Sequence, residues 1–564
     1  MKFEELKAVK PNEKKIISQM QSLTEELKNA KSAQEAIKVV QKSFKLSDSV
    51  ESNFTIISIR HSIDMNDKKI SKLSDICDEV GPKLSEYSVA FDRAIMESPF
   101  KEDLVKKFGE TFFKRIENEF KVFDPKIIPD KIKENQLVNE YQKIIAGAQI
   151  QFRGETYNLS SIGKFMSDVD RDTRIEAAKA YYGYLEQNDA ELGRIYDELV
   201  KVRDKIAKTL GFKNAIEYEY LALGRLDYDE KMVKEYRDQI YEEVVPIAVK
   251  LRKRQAKRIG VKKPLFVDYN LEFLSGNAKP CGDSKYLCEC ASKMYHEMSP
   301  LTGDFFDKMV NDHLLDLDAK PGKAACGYCT FIPNYQSPFI FANFNQTSGD
   351  AEVLTHEAGH AFQCYSSQNI FPIDCILPTS ESCEIHSMSM EFFTYPWMKS
   401  FFEEDTEKYY FKHLSGTAKF LPYGVCVDHF QHEVYANPDM SPEERMATWR
   451  KLEKQYLPYK NYDEIDILEK GGWWMRQLHI FMYPFYYIDY TLAQVCALQF
   501  WARIQKQDPK AFEDYKHICQ IGGTLPFRKI VKEAGLNVPF DSGCLKDTMK
   551  EVRAWFDKAD DSKF

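Results

Sequence analysis

Apolar residues recurring at helical intervals constrain the fold of this 564-residue chain more than any other feature. Ile16, Ile17, Met20, Leu23 and Leu27 fall on one face of a helix, as do Ile195, Leu199, Val202 and Ile206. With 25 Gly and 23 Pro, breakers are few for this length, and Leu, Glu, Lys and Ala dominate long stretches. The chain is therefore expected to be mainly α. Residues 1–190 read as successive amphipathic helices forming an amino-terminal lobe, with turn signals near Pro11, Pro99, Pro125 and Pro129, and 191–564 as a second domain. One region is convincingly extended. Aromatic and β-branched residues crowd Gly327–Ile332 and Ser337–Phe344, and Pro333-Asn334 separates them as a turn. Pro338 suits a strand start or an edge strand.

The net charge is −9, with 87 acidic and 78 basic residues spread along the chain. No basic block interleaves with aromatics, so nucleic acid is not an expected partner. The most basic short run, Arg252 to Arg258, reads as a solvated helix face. The opening Met1-Lys2-Phe3-Glu4-Glu5 carries no apolar run behind it, and no segment approaches a membrane-spanning length, so neither a leader nor a membrane is expected. Thirteen scattered cysteines, an odd number in a large chain, suggest free thiols in a reducing, cytoplasmic setting. Cys326 and Cys329 have a Cys-x-x-Cys spacing, but no second pair completes a site, and they read as ordinary thiols. His429 and His432 read as structural.

The segment His356-Glu357-Ala358-Gly359-His360 carries the chemistry. On a helix, imidazoles four apart share one face and can hold one metal ion. Glu357 points about 100° round from His356, badly aimed for a ligand but suited to a general base acting on water at the metal. Thr347-Ser348-Gly349-Asp350 supplies a helix start with capping-box spacing, and Leu354, Ala358, Ala361 and Tyr365 give the helix an apolar stripe away from the histidines. A catalytic zinc needs a third protein ligand and one open position. After Pro378-Thr379-Ser380, a good helix start, come Glu381, Glu384 and Glu391. Glu384 and Glu391 share a face two turns apart, so one could ligate while the other fixes a ligand histidine. Spacing does not choose between them, and His386 and Asp374 compete. Two further stretches could face a substrate. The edge of the Gly327–Phe344 strands could pair with an extended peptide. The tyrosines and imidazole of His479–Tyr490 could donate hydrogen bonds to an oxyanion.

Between about 325 and 495 the chain resembles the thimet oligopeptidase and oligoendopeptidase F family of zinc metallopeptidases, closest to the Pz-peptidase type. The resemblance rests on Gly327–Pro333, Ser337–Phe344, Thr347–Asp350 with His356–His360, Glu384–Glu391, Asp428–Tyr435 and the tyrosine-rich segment ending at Tyr490. It implies a helical, two-lobed zincin-type body around a deep channel, with a small sheet beside the active-site helix and 191–564 as the catalytic domain. It also implies one zinc ion per chain held by His356, His360 and Glu384, with Glu391 supporting a ligand and Glu357 as the base. Tyr490, Tyr483 and His479 take the place of the groups over the scissile carbonyl, although His479 lies one residue closer to Tyr483 than in the thimet branch. Gly327, Tyr328, Phe339, Ala342, Tyr486 and Tyr487 stand as substrate contacts. Gln363 replaces a histidine of the thimet branch, and His386 stands where many relatives have a small residue. The implied activity is cleavage of internal bonds in short unstructured peptides. The rival reading is a peptide-binding protein of the same fold without turnover.

Overall fold

Long helices form where the periodicity places them, because each has one face to bury and a polar residue to start it. Glu13–Lys28 is capped by Asn12, whose side chain accepts from the Lys15 N–H, and buries Leu23 and Leu27. Asp189–Thr209 buries Ile195, Leu199, Val202 and Ile206, each at 4 % exposure or less, a gain of about 1.5–3 kcal/mol per side chain. This computed structural model describes every residue except Pro321, Ala325 and Glu464. The chain forms two units, each assembled from three segments. One comprises Met1–Phe120, Lys279–Thr406 and Arg503–Leu536, and the other Lys121–Ala278, Glu407–Ala502 and Asn537–Phe564.

In the first unit Glu13–Lys28, Ala33–Ile63 and Lys68–Met96 pack around Leu27, Val40, Phe91 and Phe113. Phe44 meets Phe108 and Phe112 edge-on at 5.6 and 5.4 Å. Beside them lies a three-stranded sheet of β1 (Leu315–Asp318), β2 (Tyr328–Ile332) and β3 (Ser337–Phe344), in the order β1-β3-β2. β2 and β3 are the expected antiparallel pair, running from Tyr328 opposite Phe341 to Ile332 opposite Ser337. β1 pairs with β3 in parallel and was not expected from its four-residue Leu-Asp-Leu-Asp sequence, which is short and poor in strand formers. β3 is thus central. Its Pro338 sits ahead of the first hydrogen bond to the β1 side, made by the Ile340 N–H to Leu314, so the missing donor interrupts no ladder there.

The second unit contains a two-stranded hairpin, Ile150–Phe152 with Glu155–Tyr157, and the 31-residue helix Thr406–Ala436. Its core is aromatic: Trp474 meets Tyr196, Phe430 and Phe481 with ring centres 4.8–5.5 Å apart. Fully buried Arg203 and Arg225 are paired with Glu134 and Asp489, both at 2.7 Å. The basic run on helix Val245–Arg258 is not a solvated face. Arg254 and Arg258 both bind Asp561, Arg258 also binds Glu272 at 3.1 Å, and Arg252 packs over the Tyr269 ring. Composition hides this, because one of the acids that draw these arginines inward, Asp561, lies some three hundred residues away. All thirteen cysteines are free thiols. Among the described residues no helix is long and apolar enough to cross a membrane.

Candidate active site

The His-Glu-x-x-His segment lies within helix Ser348–Ser367, which follows β3 directly. The expected capping box does not form. Thr347 occupies the cap position but its hydroxyl bonds Asn345, and the Asp350 carboxylate turns back to accept from the Asn345 and Gln346 N–H groups at 2.9 and 2.7 Å. This ties the strand exit to the helix start.

Helix Ser380–Phe393 packs closely on the motif helix, and Gly359 is the reason it can. A Cβ at Gly359 would lie 2.6 Å from both the His386 carbonyl oxygen and the Ser387 Cα, main-chain atoms that cannot turn aside. The approach brings the Glu384 carboxylate in front of both imidazoles. Its Oε2 is 3.3 Å from His356 Nε2 and 3.6 Å from His360 Nε2, and all three donor atoms lie within 4.8 Å of one another. Tetrahedral zinc with bonds of roughly 2.0–2.1 Å sets its ligand atoms about 3.3 Å apart, so the donor set fits that ion. The Ser387 hydroxyl donates to the same oxygen of Glu384 at 3.0 Å. On the other side of the ring, His356 Nδ1 meets Glu391 at 2.7 Å, which turns Nε2 towards Glu384.

The two neighbouring glutamates are driven apart in acidity. Against its burial, hydrogen bonds from His356 and His360 hold Glu384 well below the usual carboxylate range. Burial raises Glu357, with the histidine charges opposing, and its Oε2 has no hydrogen-bond partner among the described residues. Against burial, Glu384 and Glu391 together raise His356 well above the ordinary imidazole value. The other contenders for a ligand role are engaged elsewhere. Glu381, 1 % exposed, accepts from the Thr379 hydroxyl, and Asp374 is beside Arg115. His386 is wholly buried against Tyr515, and burial pushes its imidazole down to about 3.

The sheet residues separate into two kinds. Phe339 and Ala342 are buried on central β3: Phe339 packs on Phe3 at 4.5 Å, and the Ala342 carbonyl is taken by Lys323 at 2.5 Å. Among the described residues β1 and β2 are the two edge strands of this sheet; Gly327 just ahead of β2 is exposed, and Tyr328 begins it. Tyr328, Cys329 and Thr330 border a cavity of about 780 Å³ whose other walls are Glu13–Lys28, Ala33–Ile63 and Lys68–Met96. Cys329 is an inert thiol: a hydrogen bond with Cys364, then burial, raise it well above its ordinary value.

The residues His479, Tyr483, Tyr486, Tyr487 and Tyr490 come together in the second unit. The His479 ring lies 6.2, 6.0, 5.0 and 5.9 Å from the four tyrosine rings in that order. His479 lies on helix Leu478–Met482 and Tyr487 and Tyr490 on helix Tyr487–Gln505, while Tyr483 and Tyr486 belong to the connection, in which Phe485 has φ 61°. That left-handed turn is held by groups sequence reading missed. Arg225 donates to the Phe485 carbonyl at 2.6 Å, Gln431 accepts from its N–H at 3.1 Å, and Arg203 donates to the Phe481 carbonyl at 2.6 Å. Gln477 donates to His479 Nδ1 at 2.8 Å and its own oxygen accepts from the Tyr423 hydroxyl at 2.5 Å. The His479 proton therefore sits on Nε2, and burial lowers the imidazole to about 4, keeping it a neutral donor.

Fold and site together define a peptidase. A Peptidase M3 N-terminal domain matches residues 3–123 and the Peptidase family M3 domain matches residues 269–550. The chain belongs to peptidase family M3. A Pz peptidase A with an inhibitor is 46 % identical, with a TM-score of 0.93 over 100 % of both chains. A protein described as an oligoendopeptidase F is 45 % identical, also with a TM-score of 0.93 over 100 % of both. Another so described, from Bacillus anthracis, is 45 % identical with a TM-score of 0.89 over 100 % of this chain and 99 % of its own. No curated protein matches the chain.

Proposed function

We propose that the protein is a zinc-dependent oligoendopeptidase that hydrolyses internal bonds of short, unstructured peptides. The observation that carries this reading is the convergence of His356, His360 and Glu384 on one point beside the buried, unpartnered oxygen of Glu357. His356, His360 and Glu384 would hold one zinc ion, with Glu391 fixing the His356 ring. Zinc bound there would polarise the scissile carbonyl and bring the pKa of water towards about 7.

The protein's own groups do the rest. Glu357, raised by burial, takes the proton of the attacking water and delivers it to the departing amine nitrogen, and a basic carboxylate suits both transfers. The neutral His479, with its proton on Nε2, and the hydroxyls of Tyr483 and Tyr490 donate to the oxygen of the tetrahedral intermediate. An extended peptide pairs with the free edge at Gly327 and Tyr328, while Phe339 and Ala342 support that edge from within the sheet. Tyr486 and Tyr487 line the aromatic cluster around the imidazole. The free thiols support a reducing, cytoplasmic setting.

A mixed set of oligopeptides incubated with and without o-phenanthroline, read by mass spectrometry, tests the reading. Chelator-sensitive internal cleavage with folded protein left intact is expected. Absence of cleavage by protein shown to contain zinc would overturn it in favour of peptide binding without turnover.

A further inference from the structure

The second unit contains a cavity of about 480 Å³ that the reading above leaves unused. Among the described residues, its lining carries five cationic side chains, Arg252, Lys412, Lys419, Lys460 and Arg476, against one carboxylate, Glu272. That carboxylate is shared, since Lys419 and Arg258 both bind it. Lys460 reaches Glu453 at 3.3 Å, but Glu453 also takes Arg450 at 3.1 Å. Arg252 and Arg476 have no carboxylate within ion-pair distance among the described residues. Arg252 bonds Gln255 and the Tyr269 carbonyl, and Arg476 bonds the Tyr182 hydroxyl at 2.9 Å.

Aromatic rings hold these charges together. Lys460 Nζ stands 3.1 Å from the centre of the Trp473 indole, and the Arg476 guanidinium lies 4.9 Å from the same centre. Two cations on one ring repel, and each binds better when an anion joins them. Burial pushes both Lys419 and Lys460 down to about 8, with Arg252 and Arg476 respectively adding to the effect against their acid partners. The cavity also adjoins the His479 cluster. Tyr487 lines it and lies 5.0 Å from the His479 ring, and Gln477, another lining residue, bonds His479 directly.

We infer that this cavity binds a carboxylate of the peptide substrate, the Arg476 and Arg252 forks and the lysines replacing its water. The inference rests on the peptidase reading of the chain. A planar carboxylate matches a guanidinium fork, and a cavity of this volume takes one residue with its carboxylate but no folded surface or polynucleotide strand. The carboxylate can come from the peptide's C-terminus or from an Asp or Glu side chain. An anchor of this kind favours short peptides whose acid group reaches the pocket while an internal bond reaches His479.

The test compares a quenched fluorescent octapeptide ending in a free acid with its C-terminal amide, and an internal Glu peptide with its Gln analogue. Wild-type enzyme is expected to show KM raised about tenfold for at least one neutralised partner, with kcat within about twofold. A loss on amidation assigns the C-terminus, and a loss on Glu-to-Gln exchange assigns the side chain. Arg476→Gln and Lys412→Gln should each shrink the acid-to-neutral ratio, whereas Lys253→Gln, on the exposed side of its helix, should not. Equal KM values for both pairs on wild type, or a ratio untouched in the Arg476→Gln, Lys412→Gln double variant, would overturn the inference while leaving the peptidase intact. The same peptides titrated by fluorescence anisotropy into Glu357→Gln protein decide the matter even if no peptide is cleaved.

Discussion

Two regions of this molecule carry a close pair of histidines on a helix, and they differ in what the imidazoles lack. His356 and His360 direct Nε2 atoms at a single carboxylate oxygen, 3.3 and 3.6 Å away, and Glu357 beside them has an oxygen with no partner among the described residues. His429 and His432 are saturated. His432 Nε2 meets the Tyr220 hydroxyl at 3.0 Å and its Nδ1 meets the Asp428 carbonyl at 2.9 Å, while Arg237 binds the Asp428 carboxylate at 2.6 Å. His429 Nδ1 meets Tyr456 at 3.0 Å and its Nε2 faces Glu433 at 3.4 Å. What separates the two pairs is that one converges with a carboxylate on a single point while the other is tied to separate partners.

The sharpest way to break the comparison is to change the base. Glu357→Gln is expected to lower kcat/KM roughly 10³-fold while elemental analysis still finds one zinc per chain. If the zinc-loaded variant retained wild-type turnover, the two histidine regions would no longer differ in function. Asp428→Ala should do the reverse. Stripping the buried partner of Arg237 and His432 is expected to cost about 3–5 kcal/mol in urea unfolding, with zinc content unchanged. Smaller again is the support of a ligand ring: Glu391→Ala should weaken zinc about 10–100-fold in competition with a chelator.

The smallest effect is in pH. Burial, with Arg237 adding, lowers His429 from 6.5 to about 4. The unfolded chain therefore binds more protons between those values, so this residue's contribution is intact above pH 6.5 and lost as pH falls towards 4. After allowance for solvent the loss should be about 1–2 kcal/mol, and His429→Gln should show a correspondingly flatter fall in Tm over that window. An equal slope in wild type and variant would remove the neutral, satisfied imidazole from the comparison.

Legibility in the sequence followed the range of the interaction. The helices, the β2–β3 pair and the motif helix are visible because period and turn chemistry act within a few residues. β1 was not, since four residues ending in Asp become a strand only through β3 as a parallel neighbour. The basic run at Arg252–Arg258 was misread as solvent-facing because its partners, Glu272 and Asp561, include one some three hundred residues distant. The same blindness covered Arg203, Arg225 and Gln431, which hold the backbone of the His479–Tyr490 segment from far along the chain.

By itself the sequence determined a mainly helical chain, a helix presenting His356 and His360 with Glu357 alongside, and three downstream glutamates able to meet them. Helical geometry is local, so spacing is enough for that. Only the tertiary structure divided the glutamates. The bare Gly359 lets one helix press against the other, which sets Glu384 before both rings, turns Glu391 to the back of His356 and buries Glu381 at the helix start. The side chains share one helix and similar chemistry, and what separates them is which atoms of a distant segment each one meets.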